Sequence, residues 1–224
     1  NYISQLSGSF SLLITAPNSI VTALANVLIT MMLGVPAAYG LGRYHMKFKK
    51  EVILFFLTTQ MLPASLLLTP MYLMYSKVGL LNTRLAPILS IATISIPFTI
   101  VVLRPIFKQS PVELEEAARI DGAGELYSFH RIVLPVMSPG IATMSIMAFI
   151  GNWNSYLTPM IILNKNDKFT LPVMMATLRA STDIQSNQGA IYLAVAISVI
   201  PILIVFCFCS KYIISSISAG SVKE

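Results

Sequence analysis

The run Glu116-Ala117-Ala118-Arg119-Ile120-Asp121-Gly122-Ala123-Gly124, followed by Ile132-Val133-Leu134-Pro135, decides how the rest of this chain is read. It is a charged island in an otherwise oily sequence. The chain is 55% hydrophobic and only 11% charged, with a mean hydropathy of +0.76. Soluble domains carry ~25% charged residues, so these 224 residues do not make a water-soluble globule. A bilayer core of ~30 Å takes ~20 apolar residues at 1.5 Å each. Five segments meet that requirement, roughly 19–42, 52–76, 85–107, 133–163 and 189–213, and none carries Asp, Glu, Lys or Arg in its central part. The island lies between the third and fourth spans. The chain is therefore all-α and transmembrane, with one polar helical loop at 110–133 and a second long loop at 164–188.

The net charge of +6 belongs to the membrane surface, not to nucleic acid. The bases sit in short runs at span ends. Arg43, Lys47, Lys49 and Lys50 follow the first span. Arg104, Lys108, Arg119 and Arg131 lie between the third and fourth, and Lys211 and Lys223 follow the fifth. The opposite side holds Lys77, Arg84, Lys165, Lys168 and Arg179. The positive-inside rule puts the larger set, with the island and the C-terminus, in the cytoplasm. Asn1 then starts outside. An odd number of spans with an outside start calls for a preceding span or a removed signal peptide.

Within the island, Ser110-Pro111-Val112-Glu113 reads as a helix start. Ser110 is the N-cap, Pro111 takes the first helical position, and Glu113 stands three after the cap. The helix should run to about Ile120, with Asp121-Gly122 and Gly124 stopping it. A second short helix covers Glu125 to Val133, and Pro135 and Pro139 mark the return to the membrane. Leu114, Ala117 and Ala118 share one face at i, i+3, i+4. Glu113, Glu116 and Arg119 lie largely on others. A solvated surface helix accounts for the charges. Small residues in so short a loop fit a docking helix, because they let another surface come close.

Elsewhere the spans carry polar and helix-breaking residues at telling places. Residues 1–18 read as an outer segment, with Leu12, Leu13 and Ile14 in the interface. Gly34, Ala38 and Gly42 are small residues four apart, a spacing that permits close helix approach in a membrane. Gln60, Pro63 and Pro70 fall in the second span. Two prolines leave carbonyls without helical donors, so this span should face the protein interior or a wet cavity, or else be a kinked packing helix. Gly79-Leu80-Leu81-Asn82-Thr83 makes an outer turn. The fourth span holds Gly151-Asn152-Trp153-Asn154-Ser155-Tyr156. Trp153 and Tyr156 suit interface anchors; Asn152 and Asn154 suit that less well.

No Gly-x-x-x-x-Gly-Lys-Ser/Thr phosphate loop occurs, and no pair of carboxylates or nucleophile with a nearby His stands out, so no enzyme site is read. Cys207 and Cys209 point to different helix faces, and their expected role is buried apolar packing. His45 and His130 are single, and no metal site is assigned. The spans also lack the buried Asp, Glu or His that ion-coupled carriers keep at depth. The remaining handles for a solute are Gln60, Asn152, Trp153, Asn154 and Tyr156. They suit a neutral, hydroxyl-rich solute such as a sugar. Interhelical hydrogen bonds, at ~0.6 kcal/mol each, are the structural alternative for each of them.

Glu116-Ala117-Ala118, Asp121-Gly122-Ala123, Phe129, Ile132 and Leu134-Pro135 resemble the EAA motif of ATP-binding cassette (ABC) importer permeases. Asn18-Ser19, Ala38-Tyr39, Arg43, Gly79 to Thr83, Gly151 to Asn154 and the tail Ala219 to Lys223 are similar to the carbohydrate branch, the MalG-like inner-membrane permeases. The resemblance implies a type I importer permease fold with a six-helix core, of which five spans lie in this chain, and a cytoplasmic coupling helix. It implies a companion, MalF-like permease, two cytoplasmic ABC ATPase subunits and an extracellular solute-binding protein around a bacterial cell membrane. No cofactor is implied in this chain; ATP and Mg belong to the ATPase subunits. Glu116 becomes the acid that contacts the ATPase. Ala117 and Ala118 become its close-packed face, and Gly122 the turn that sets helix direction; Glu113, Arg119 and Asp121 belong to the same coupling surface. Gly220, Ser221 and Lys223 of the tail are placed toward the ATPase interface. The solute is a sugar or oligosaccharide, moved by alternating access. The alternatives are a polyol, glycerol phosphate or acidic oligosaccharide, or, from a different class, a channel or scaffold subunit without ATPase.

Overall fold

The computed structural model describes residues 12–180, 189 and 191–207, and these are helical with short connections. In chain order they form α1 (Leu12–Arg43), α2 (Lys49–Met61), α3 (Ala64–Lys77), α4 (Leu85–Gln109) and α5 (Glu113–Ile120). Then follow α6 (Glu125–Val136), α7 (Ser138–Trp153), α8 (Leu157–Ile162), α9 (Leu171–Ala180) and α10 (Ile191–Cys207). Among the described residues two helices, α1 and α4, are long and apolar enough to cross a membrane unbroken. The pairs α2–α3 and α6–α7 pass that test only together, bent by 96° and 76°.

α1 and α4 form the spine, and the small-residue stripe explains why. A β-carbon on Gly34 would lie 3.0 Å from Thr99 Cγ2, and one on Gly42 would lie 3.1 Å from Phe107 Cβ. Ala38, between them, is fully buried. The stripe therefore lets the two helices touch almost backbone to backbone. Contact moves from Thr99 to Phe107 as it moves from Gly34 to Gly42, so the helices run parallel. Their C-terminal ends bring Arg43, Arg104 and Lys108 together beside α5, as the charge pattern requires.

Several expected boundaries shift. α1 is already helical at Leu12, the first described residue, not only from near residue 19, and its 32 described residues reach about 48 Å. Leu12 is not an interface residue of an outer segment; it is buried against the far-end core around Trp153 and Leu171. The second span is two helices. Leu62, preceding Pro63, is held extended at φ −78°, ψ 126°, so α2 ends there. Pro70 stays inside α3 without breaking it. This span does not enter the interior of the chain: no residue of α2 is buried, and only Tyr75 of α3 is. The fourth span is not one helix over 133–163. α6 and α7 hinge at Met137, flanked by Pro135 and Pro139, and α7 ends at Trp153. The segment 164–180 is not an open loop. α9 buries Leu171, Met174 and Leu178, one helical face at i, i+3, i+7, in the far-end core. Residues 181–188 lie outside the described residues.

Polar ties fix the far end. Asn18 is buried within α1 and donates through Nδ2 to the carbonyls of Asp167 and Phe169, both at 3.0 Å. Ser19 Oγ accepts from the Leu171 backbone N–H at 2.7 Å. These two residues therefore hold α9 rather than preceding the span. The turn after α3 has Gly79 at φ +71° and Asn82 at φ +59°. Asn82 donates its backbone N–H to Ile162 and accepts from the Asn164 N–H through Oδ1. Cys207, expected to pack in the core, is exposed; Cys209 lies outside the described residues.

Candidate functional site

α5 runs from Glu113 to Ile120, and its start differs from the expected cap. Val112 occupies the N-cap position and accepts the Glu115 and Glu116 backbone N–H groups through its carbonyl. Ser110 instead ends α4, and its Oγ accepts a hydrogen bond from Arg43 Nη2 at 3.2 Å. The stop is as read. Gly122 sits at φ +80°, a left-handed conformation that glycine adopts without steric cost. Ala123 then donates its N–H to the Ala118 carbonyl, closing the helix.

One face of α5 is open. Leu114, Ala117, Ala118, Asp121, Gly122, Tyr127 and Ile132 line a hollow of about 630 Å³ between α5 and α6. Ile120 is 87% exposed, Leu126 78% and Tyr127 60%. Glu113, Glu116, Arg119 and Asp121 are exposed around it. Arg119 reaches Glu125 at 3.3 Å, an exposed pair of small energetic weight. An apolar rim within a charged loop marks a surface meant to be covered.

The opposite face of α5 carries the residue that sequence reasoning missed. Glu115 is buried between α5 and the end of α1. Its Oε1 pairs with Arg43 at 2.8 Å, and its Oε2 accepts from the Tyr39 hydroxyl at 2.8 Å. Arg43 also donates to the Pro111 carbonyl at 3.1 Å. Tyr39 in turn packs its ring on Phe107 of α4 and Phe129 of α6, with centroids 5.7 Å and 4.8 Å apart. One sequence feature pointed here: Tyr39 and Arg43 are four apart at a span end and so share a helix face.

The five solute-path residues do not gather at one place. Gln60 lines a hollow of about 230 Å³ halfway along α4, with Ser95, Phe98, Thr99, Met147 and Gly151. Thr99 is buried and its hydroxyl has no partner among the described residues. Trp153, Asn154 and Tyr156 line a separate hollow of about 640 Å³ near the far end, with Pro172, Met175 and Arg179. Trp153 is buried and donates Nε1–H to the Ser198 carbonyl at 3.0 Å, a packing role. Asn154 is in the turn after α7, not in a span, and ties back to the Ile150 carbonyl. Asn152 is buried, with Nδ2 unpartnered among the described residues, and lines neither hollow. Gly220, Ser221 and Lys223 lie outside the described residues.

Comparison with known proteins agrees with the helical plan. The chain is 32% identical over 206 residues to the diacetylchitobiose uptake system permease protein NgcG of Streptomyces coelicolor, covering 92% of this chain and 68% of that one. It is 33% identical to the arabinooligosaccharides transport system permease protein AraQ of Halalkalibacterium halodurans, over 92% and 72% of the two chains. Among solved structures, it superposes with a TM-score of 0.79 and 25% identity on a chain of a bacterial ABC transporter involved in the import of the acidic polysaccharide alginate. That match covers 94% of this chain and 78% of the other. Residues 30–218 match the family described as binding-protein-dependent transport system inner membrane component. With the α5–α6 element following the unbroken α4 and 189 of its residues inside that match, the chain belongs to this family and is a membrane permease component of an ABC importer.

Proposed function

We propose that this chain forms, with a companion permease, the path by which a bacterial cell imports a sugar or oligosaccharide, and that α5 is its coupling helix. The carrying observation is the hollow beside α5. Ile120, Leu126 and Tyr127 are exposed in a charged loop beside it. An ATPase subunit seated there covers the apolar rim and packs closely on Ala117 and Ala118. Glu113, Glu116, Arg119 and Asp121 surround that seat and set its polarity. The charge pattern puts this end, and the C-terminus, in the cytoplasm. ATP and Mg stay on the ATPase subunits; this chain supplies the lever. An extracellular solute-binding protein delivers the solute at the opposite end, where α9 and the turn at Gly79 lie.

The solute class is read from the path. Gln60 and Thr99 offer an amide and an unpartnered hydroxyl at mid-depth, beside the α2–α3 break. Broken helices at membrane depth line cavities rather than lipid. Hydroxyl-rich solutes match such groups, and relatives named for diacetylchitobiose, arabinooligosaccharides and trehalose support a carbohydrate. The solved neighbour's acidic polysaccharide keeps an acidic oligosaccharide as the second reading, with Arg179 in the far-end hollow as its counter-charge.

Ile120→Glu tests the seat. Ile120 is solvent-facing, so the variant folds and inserts; the expected result is loss of the co-purifying ATPase subunits and of uptake. Unchanged ATPase recovery would show that α5 is not the docking helix.

A further inference from the structure

We infer that Glu115, with Arg43 and Tyr39, is the pin that carries movement of α5 into the membrane helices; this rests on the reading of α5 as the coupling helix. An eight-residue helix joined to α4 through Ser110–Val112 and to α6 through a left-handed glycine is free to swivel when pulled. A swivelling lever moves nothing behind it. The buried contacts remove that freedom. Glu115 holds the body of α5 to α1 through an ion pair and a phenol hydrogen bond, both 2.8 Å. Arg43 holds the hinge as well, donating to Ser110 Oγ and to the Pro111 carbonyl. Both charged side chains of the pair are about nine-tenths buried, at 10% and 11% exposure. Separating them strands a charge away from water, which is strongly unfavourable. The pin therefore stays closed while the exposed Arg119–Glu125 pair opens freely.

The pin ends in the spine. Tyr39 is wedged against Phe107 of α4 and Phe129 of α6, and three residues on, Gly42 meets α4 with no slack. A displacement of α5 thus reaches α1, α4 and α6 as one block. Glu115 is a positioning residue; it faces away from the docking hollow, which it does not line. Its loss should leave ATPase binding intact and disconnect it from the span centres.

The test uses the assembled transporter with its own partners in proteoliposomes, on a cysteine-free background, with Met147→Cys as reporter. Met147 is 49% exposed and lines the mid-depth hollow. Its labelling by a membrane-impermeant maleimide is followed with and without ATP and orthovanadate, which trap the ATPase. With the native pin, trapping should change the labelling rate at least tenfold. With the near-isosteric Glu115→Gln, the same amount of nucleotide should be trapped and the rate should change less than twofold. Tyr39→Phe, which keeps the ion pair and loses one hydrogen bond, should fall between. A full response in Glu115→Gln overturns the pin, and so does loss of ATPase from that variant, which would confine Glu115 to shaping the seat. If the native chain itself recovers no ATPase, it is the coupling-helix reading that fails.

Discussion

Replacing Gly42 with alanine probes the α1–α4 spine on which both the path and the pin depend. The new β-carbon would stand 3.1 Å from Phe107 Cβ, 3.3 Å from the Arg104 carbonyl oxygen and 3.4 Å from the Lys108 backbone nitrogen. None of these is the tip of a flexible side chain, so α1 and α4 must part. Overpacking of this kind costs ~1–3 kcal/mol. Alanine's better helix propensity offsets at most ~1 kcal/mol of that. Gly40, half a turn away, is the internal control. It is in the same helix with nothing among the described residues within 4 Å of its would-be β-carbon, so Gly40→Ala should be neutral or slightly stabilising. The two variants should therefore differ by ~1–3 kcal/mol, the overpacking term alone. Equilibrium unfolding of the purified chain in mixed detergent micelles measures this. Trp153, the single tryptophan and buried in the far-end core, reports the transition by fluorescence. Equal midpoints for Gly42→Ala and Gly40→Ala would refute the view that the small-residue stripe sets the helix separation.

Three other substitutions address the turn, the far end and the path. Gly122→Val should impair coupling where Gly122→Asn does not. The site is open, and only the left-handed backbone, at ~1–2 kcal/mol for a residue other than Gly, Asn or Asp, separates the two; uptake at matched expression decides it. Asn18→Ala strands the carbonyls of Asp167 and Phe169 and should destabilise the far end by ~2–4 kcal/mol, from two lost hydrogen bonds. Faster amide exchange at residues 166–174, with α4 unchanged, is the expected sign. Thr99→Val removes a buried hydroxyl that has no partner among the described residues. It should leave stability unchanged or raised by up to ~1 kcal/mol while weakening solute uptake. Lowered stability with normal uptake would make Thr99 a packing residue.

Much of the fold was legible because membrane chemistry writes it in composition. Apolar length placed the spans, and the distribution of bases gathered Arg43, Arg104 and Lys108 at the end where α5 lies. Gly34, Ala38 and Gly42 announced a close helix approach, and the structure supplies α4 as the partner. The island announced a helix ending at Gly122, since a left-handed stop favours glycine. The errors came from tertiary partners that hydropathy does not see. α1 extends back to Leu12 because Asn18 and Ser19 find backbone partners near α9. α9 passed for a loop because ten residues with Pro172 and Arg179 fall short of a span, although Leu171, Met174 and Leu178 already form a stripe. Ser110 looked like a cap, but Arg43 competes for its hydroxyl. Glu115 was hidden among the three acids of one turn, Glu113, Glu115 and Glu116. Polarity alone grouped Gln60 with Asn152 to Tyr156, whereas helix breaks at Pro63 and after Trp153 put them in different places.

The most direct test of the central claim is photocrosslinking from Ala117 in native membranes. A photoreactive amino acid at that position faces the hollow beside α5, and mass spectrometry identifies what it captures. Capture of a subunit carrying a phosphate loop, lost when Ile120 is changed to Glu, is the expected result. Capture of lipid alone, or of no protein at all, would contradict the assignment of α5 as the coupling helix.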